Sequence, residues 1–373
     1  MPAPAAPGTT GLDECLDVNR LTAAARAFVA AIAGRPDVAL RLAKMSLVFR
    51  TERQATDARV LARAAQRLAP CDERIRALTD WTQRDEAPLW HFGIVHDQLR
   101  NETYAHALQH FVRPDMTVFE IGTGTGLLAM LAVQAGARHV YTCERRLEVA
   151  AAACAIIQRN GFSERITVIA KDAHAVRLGA DLPGPADLFV AELVDNSLLG
   201  EDVLSLTELA RAKFLKPDAV LLPRQVSAIG CLVSGQGHRE RYRMDRVLGF
   251  DLTPFNRFAP VMINAGKAGG EVDPLSDAVA LVHFDLRVDA PAEASRRVTL
   301  TANRAGQVEG ILRWLRLDFG DGIVFENRPP QRSHWDPMLH VLSQCRQLES
   351  GDAVEVEVYH QRHRLFVLPV AVP

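Results

Sequence analysis

The sequence is short of the features that mark several large classes of protein. Its six cysteines, Cys15, Cys71, Cys143, Cys154, Cys231 and Cys345, are scattered and none forms a C-x-x-C pair. That pattern excludes a zinc ribbon and a disulfide framework and fits a reducing cytoplasm; no metal is expected. No apolar run approaches the ~20 residues of a membrane-spanning helix, so no membrane partner is expected. Neither sign of charge dominates. The 43 basic and 45 acidic residues leave a net charge of −2, with no basic footprint for nucleic acid and no charged tail. Lysine is scarce, at five positions (Lys44, Lys171, Lys213, Lys216 and Lys267), and the remaining 38 basic residues are arginine. With the abundant alanine, this is the mark of a GC-rich genome. The stretch Met1–Thr10 is rich in Pro, Ala and Gly and lacks a basic segment followed by an apolar core. It reads as a disordered tip rather than a signal peptide.

What is present is enough for two or three domains. The 373 residues are 48% hydrophobic and 24% charged, ordinary for a soluble protein. Apolar residues recur at helical spacing in four runs: Leu21 to Ile32, Val38 to Phe49, Val60 to Leu68 and Ile75 to Trp81. Gly34-Arg35-Pro36 and Pro70 punctuate them. Residues 1–84 therefore read as an N-terminal helical domain, a cap or dimer-contact element without chemistry of its own. Trp90 to Phe111 reads as a further helical stretch carrying His91, Ile94, His96, Asp97, Arg100, Asn101 and Tyr104. Asp97 and Arg100, three apart, share a helix face, which alone would suggest only a surface ion pair.

Met116 to Ile121 is an apolar strand, followed by Gly122-Thr123-Gly124-Thr125-Gly126, a helix to Ala135, and a second strand, Val140 to Cys143, ending in Glu144. This order is the nucleotide-binding βαβ pattern. The glycines allow close backbone approach, and the acid 18 residues after Gly126 is placed to accept from ribose hydroxyls. The spacing is G-x-G-x-G, not the dinucleotide G-x-G-x-x-G, which favours an adenosyl cofactor over NAD. Ile166 to Ala170 is a third strand, after which Asp172 could contact adenine or merely hold a turn. In the fourth, Leu188-Phe189-Val190 leads to Glu192 at its C-terminal end, where ligands of open α/β sheets bind. Gly200 would let the chain turn back and present Glu201, nine residues on, to the same pocket. Two such carboxylates could hold a planar guanidinium bidentately. The spacing alone is equally that of an exposed acid and a neighbour of a helix N-cap.

A turn at Lys216-Pro217-Asp218 is expected to close this α/β domain, residues 85–217. Beyond it the period changes from 3.6 to 2. Val220 to Leu222, Val226 to Val233, Ala278 to Leu286, Arg297 to Leu300, Gln307 to Leu317 and Ala353 to Tyr359 read as strands of an antiparallel β domain, residues 218–373. Asp251 to Asp273, with its Pro, Gly and Asn, interrupts the strands as a projecting arm. Ser333-His334-Trp335 lies in a proline-flanked loop.

Four motifs taken together resemble the protein arginine methyltransferases, over roughly Trp90 to the C-terminus. They are His96-Asp97-x-x-Arg100-Asn101, Glu120-Ile121-Gly122-Thr123-Gly124-Thr125-Gly126-Leu127-Leu128, the Glu192/Glu201 pair, and Ser333-His334-Trp335. The resemblance implies a Rossmann-like S-adenosylmethionine domain joined to a β-barrel, with the active site between them. It implies that Arg100 meets the methionine carboxylate and that Glu144 meets the ribose. Gly122, Thr123, Gly124, Gly126, Asp172, Ala173, Ile94 and His91 would complete the cofactor site. It implies that Glu192 and Glu201 bind the guanidinium, that His334, paired with Asp97, is the loop histidine, and that Trp335 walls the substrate pocket. Ala191 and Val194-Asp195 stand where the family usually has Ser and Met-Gly, and Ser333 where Thr is common. The tyrosines usual upstream are absent, with Trp90 and His91 nearby. The glutamate stretch resembles the monomethylating branch.

Two substrates compete. One is arginine within Arg-rich proteins. The other is free L-arginine, giving Nω-methyl-L-arginine for a bacterial nitrosourea-type natural product, an activity known in this fold. The lack of an acidic run to recruit Arg-rich tails favours the small substrate, and so does the composition. An inert scaffold that only binds partners is a third reading, against which the intact glutamate pair and cofactor acid argue. A homodimer is expected, through the arm or the N-terminal helices.

Overall fold

The computed structural model describes residues 12–234, 242–268 and 272–369. The Met1–Thr10 tip lies outside them, as does part of the expected arm, residues 269–271. The chain divides into two compact units, one through His91 and one from Phe92.

The first unit is helical. After α1 (Leu12–Cys15) come α2 (Ala23–Ile32), α3 (Val38–Thr51), α4 (Ala55–Leu68) and α5 (Glu73–Glu86), matching the four apolar runs. Leu42, Phe49, Leu61, Ala64, Ala65 and Ile75 form its core. Thr22 caps α2, and its amide and hydroxyl both donate to Asp57 of α4, at 2.9 and 2.6 Å. Asp57 is buried, and these donors satisfy it there. The next helix, α6 (Trp90–His96), spans the division between the units.

The second unit opens with α7 (Gln98–Phe111) and a parallel sheet of β1 (Thr117–Ile121), β2 (His139–Cys143), β3 (Ile166–Ile169), β4 (Ala186–Ala191) and β5 (Leu215–Leu222). Helices α8 (Leu127–Gln134), α9 (Leu147–Arg159) and α10 (Val203–Lys213) connect them. The strand order is β3-β2-β1-β4-β5. Connections run one way from β1 to β3 and the other way from β4, so the topological switch lies between β1 and β4. Every residue of β1 is buried, as a strand covered on both faces requires.

Two expectations fail here for one reason. Lys216-Pro217-Asp218 is not a turn but lies within β5, and Val220 to Leu222 belongs to the parallel sheet, with Val220 to Leu222 beside Leu188 to Val190. β5 is the sheet edge, where a proline is tolerated because one side needs no donor.

The antiparallel half follows: β6 (Gln225–Ser234), the hairpin β7 (Arg246–Val247) and β8 (Phe250–Asp251), β9 (Met262–Asn264), β10 (Asp273–Pro274), β11 (Val279–Asp285), β12 (Glu293–Thr301), β13 (Gly306–Gly320), β14 (Ile323–Glu326), β15 (Met338–Leu348), β16 (Ala353–Gln361) and β17 (Arg364–Pro369). One sheet runs β10-β6-β13-β15-β9, with β11 on β6 and β14 on β13; β12-β16-β17 form another. These make the barrel-like domain, and its core is continuous with that of the α/β half: Phe119, Phe189, Leu232, Leu315 and Val356 belong to one buried cluster. The two halves are therefore packed as one body.

The expected arm is partly absorbed into this barrel, since Met262–Asn264 pairs with Met338–His340. What precedes it is apolar and bare: Leu248 is 94% exposed, and Phe250, Phe255, Phe258 and Val261 are exposed too.

Candidate active site

The glycine loop leaves β1 at the switch point. Gly122 and Thr123 donate their amides to Cys143 O of the neighbouring strand, at 3.0 and 3.2 Å. The Thr123 hydroxyl meets that of Thr142 at 2.7 Å. Gly126 starts α8 at φ +78°, where a side chain would be strained and its Cβ would press on Ile157. Around Gly124 the space is open. Glu144, at the end of β2, accepts from Gly124 N at 3.2 Å and from Arg146 N at 3.0 Å, so this acid fastens the glycine loop.

Glu120 precedes this loop and is 1% exposed, with Oε2 lacking a hydrogen-bond partner among the described residues. Burial pushes its carboxyl up to about 8, with Glu144 adding to the rise against Thr142 and Arg100. Sequence reading placed Glu120 in a motif but gave it no role. An acid in a strand buried on both faces was the available signal.

Asp97 caps α7, accepting from Arg100 N at 3.0 Å. Its other oxygen accepts from Ser333 Oγ at 2.5 Å and from His334 N at 3.0 Å, and it lies 2.8 Å from His334 Nδ1. Burial would raise this carboxyl, but the bonds from His334 and Ser333 outweigh it and hold the group well below the usual carboxylate range. The fold thus brings together two motifs 237 residues apart.

Glu192 leaves β4 with its side chain only 6% exposed. Arg100 Nη2 lies 3.4 Å from its Oε2, and the amide of Val194 approaches Oε1 at 3.5 Å. Burial raises its pKa, more than Arg100 and His334 lower it. At 3.4 Å the ion pair is long, and desolvation outweighs it. Glu201 is also raised, by burial and then by Asp195, Glu192 and Asp202, against Arg145. Arg100 keeps its Nε unpartnered among the described residues, with Nη1 on Asn101. Tyr104 hydrogen-bonds Ala191 O at 3.1 Å, bracing the end of β4.

The loop between the glutamates folds around Asp195, which accepts from Ser197 N and Gly200 N at 3.0 Å each and from Ser197 Oγ at 2.7 Å. Trp335 is 3% exposed and donates its indole N–H to Val194 O at 3.0 Å. Asn327, fully buried, donates to Trp335 O at 2.7 Å. Trp335 therefore grips the backbone of the glutamate loop in addition to any wall it presents.

Asp172 takes the turn position, accepting from His174 N at 2.9 Å, with Ala173 buried behind it. Ile94 is half-buried in the second unit. His91 belongs to the first, stacked on Trp90 at 3.7 Å.

Known proteins resemble this chain in sequence and in fold. A family model described as ribosomal protein L11 methyltransferase (PrmA) matches residues 103–221. A protein of Streptomyces achromogenes subsp. streptozoticus, named arginine N(omega)-methyltransferase, is 38% identical over 258 residues, covering 68% of this chain and 70% of that one. The chain belongs to the arginine methyltransferase family. Within the family, the protein arginine N-methyltransferase 7 of Drosophila grimshawi is 35% identical over 343 residues. The chain spans about half the length (48%) of that relative. The fold is also that of the Trypanosoma brucei PRMT1 enzyme-prozyme complex with AdoHcy, with TM-score 0.65 at 20% identity over 75% of this chain and 98% of that one. Arabidopsis thaliana protein arginine methyltransferase 10 is alike, with TM-score 0.60 at 19% identity over 74% of this chain and 87% of that one.

Proposed function

We propose that this chain is an S-adenosylmethionine-dependent arginine N-methyltransferase that transfers one methyl to an ω-nitrogen of free L-arginine, giving Nω-methyl-L-arginine. The observation that carries the reading is Glu192. It is a buried carboxylate at the switch point, beside the glycine loop and Arg100 and within the electrostatic reach of Glu201 and His334.

The residues fit the cofactor. Within this candidate site, the Glu120 carboxyl oxygen Oε2 and the Arg100 Nε are buried and lack hydrogen-bond partners among the described residues. They are one acceptor and one donor, as an amino acid's ammonium and carboxylate require. Gly122, Gly124 and Gly126 would admit the backbone-close part, and Glu144 would accept from the ribose. Bound S-adenosylmethionine supplies a methyl group on a sulfonium, already activated for displacement.

The protein's task is then to position a nitrogen and lower its positive charge. A free guanidinium keeps its proton, with pKa above ~12. Glu192 and Glu201 bind two of its edges and draw charge toward themselves, leaving the third nitrogen richer in electron density. As the N–C bond forms, the methyl's bond to sulfur breaks with its electron pair left on the neutral thioether of S-adenosyl-L-homocysteine, and the substrate nitrogen gives up one proton. Glu192, whose burial raises its proton affinity, takes it, and the imidazole of His334 beside it is oriented through Nδ1 by Asp97. Val194-Asp195 in the glutamate loop supports transfer of a single methyl.

The relative named arginine N(omega)-methyltransferase supports free arginine over protein arginine, as does the absence of an acidic run. The reading includes a bacterial natural-product pathway, supported by the Streptomyces source of that relative, and a cytoplasmic site, supported by the scattered, unpaired cysteines. Homodimer formation is supported by the bare apolar stretch from Leu248 to Val261. Incubation with S-adenosylmethionine and either free L-arginine or an Arg-rich peptide, read by mass spectrometry, tests the proposal. One added methyl on free arginine is the expected result. Transfer to the peptide alone, or two methyls, would overturn it.

A further inference from the structure

We propose that Arg313, inside the barrel sheet, is a positioning residue for methyl transfer: through Ser197 and Asp195 it fixes both the shape and the charge balance of the loop that carries Glu201. The inference rests on the arginine-methylation reading above.

Arg313 lies on β13 between Gly230 of β6 and Met338 of β15, and only 1% of it is exposed. A buried guanidinium without a carboxylate beside it is costly and calls for a reason. Its Nη1 donates to the Ser197 carbonyl at 3.0 Å, and Nη2 lies 3.9 Å from Met262 Sδ. The Nε has no partner among the described residues. Burial lowers the guanidinium to about 10, with Asp195 as the opposing charge, so it stays a cation at neutral pH. Its buried neighbour His340 is pushed down to about 3, by burial and by Arg313, and stays neutral.

The charges of the loop explain the cation. Glu192, Asp195, Glu201 and Asp202 crowd into eleven residues. Each has a basic side chain within reach: Glu192 has Arg100 and His334, Glu201 has Arg145, Asp202 has His363, and Asp195 has Arg313. Asp195 is also the hub of the loop, accepting from Ser197 and Gly200. It is the first neighbouring charge to raise Glu201. Arg313 therefore acts twice. It anchors the loop carbonyl at Ser197, and it offsets the one hub charge that would otherwise hinder ionisation of Glu201. Arg313 comes from a buried barrel strand, whereas His363 comes from the exposed turn between β16 and β17, so Arg313 couples the barrel core to the guanidinium-binding acid.

The test compares Arg313→Met and Arg313→Lys with the wild type. AdoHcy affinity and thermal unfolding establish that each variant is folded. The pH profile of kcat/KM for arginine is then measured, together with the titration of ¹³C-labelled glutamate carboxyls. In Arg313→Met the unbalanced Asp195 raises Glu201, so the acidic limb and the Glu201 titration move to higher pH while turnover falls at least ~10-fold. In Arg313→Lys the charge survives without the fork that meets Ser197, so the limb stays near the wild-type position while kcat falls. A folded Arg313→Met with the wild-type limb and titration would overturn the proposal. So would equal limb shifts in both variants. If the wild type methylates no arginine, the functional reading fails, and the carboxyl titration still decides what Arg313 does.

Discussion

Asp195 and Gly200 determine each other. Oδ1 of Asp195 accepts the Gly200 amide at 3.0 Å, and a Cβ on Gly200 would collide with the same carboxylate. The loop between the two glutamates can close around Asp195 only because residue 200 has no side chain. Gly200→Ala must therefore open the loop or rotate Asp195 away from Ser197. We expect the variant to bind AdoHcy as the wild type does and to lose at least ~10²-fold in kcat/KM for arginine, the scale on which misplaced catalytic groups cost rate. Paired calorimetry and steady-state kinetics check this. Undiminished turnover would show that Glu201 does not depend on the loop's closed form.

Glu192→Gln and Glu201→Gln change one charge each and almost no volume. If both carboxylates hold the guanidinium, either change lowers kcat/KM by roughly 10²–10³-fold, as removal of a preorganised electrostatic group does. Cofactor affinity should survive in both. The pH profile follows from the same acids. Burial raises both above their ordinary values, so the protonated, non-binding forms persist to higher pH. The acidic limb of kcat/KM should lie above the ~4.3 of an ordinary glutamate and should climb as pH rises. A limb at or below that value would remove the glutamates from the binding step.

Asp97 makes the opposite prediction. Its carboxyl is held below the usual range by His334 and Ser333, so the folded state favours the charged form. Its contribution to stability is present above the unfolded value of ~3.9 and is lost as pH falls through the lowered one. Asp97→Ala should cost about 1–2 kcal/mol at pH 7 for the helix cap alone. The cost should shrink in acid. It should also release the His334 ring and lower kcat by ~10²-fold or more. Urea unfolding at pH 7 and pH 3, with rates at neutral pH, separates the two effects.

The legible parts of this molecule were those where chemistry and periodicity coincide in sequence. Four helices of the first unit followed from apolar spacing and the Gly34 and Pro70 breaks. β1, the glycine loop and β2 followed because the turn needs glycine wherever it occurs. β5 was misread because Pro217 suggests a turn to a reader who does not know that the strand lies at a sheet edge. β9 and β15 went unread. Met262–Asn264 is too short to show alternation, and Met338–Leu348 interrupts its own with polar residues. Arg313 was invisible for a different reason: an arginine in a strand looks solvent-facing until its neighbours on β6 and β15 are known.

Glu120 yields a prediction that separates stability from binding. Its carboxyl is pushed up to about 8 by burial, against ~4.3 in the unfolded chain. The fold thus favours the neutral acid, and that contribution, complete below about pH 4, is lost as pH rises through 8. In the protein without ligand, Glu120→Gln should raise Tm relative to the wild type by an amount that grows from pH 6 to pH 9. The cofactor's ammonium, by contrast, needs the charged acid. S-adenosylmethionine affinity should fall by roughly 10–100-fold in the variant, the worth of a hydrogen bond to a charged group. Thermal unfolding across that pH range and calorimetry at pH 8 give both numbers. A variant that gained no stability at high pH would show the carboxyl to be solvated. One that bound cofactor normally would place the ammonium elsewhere.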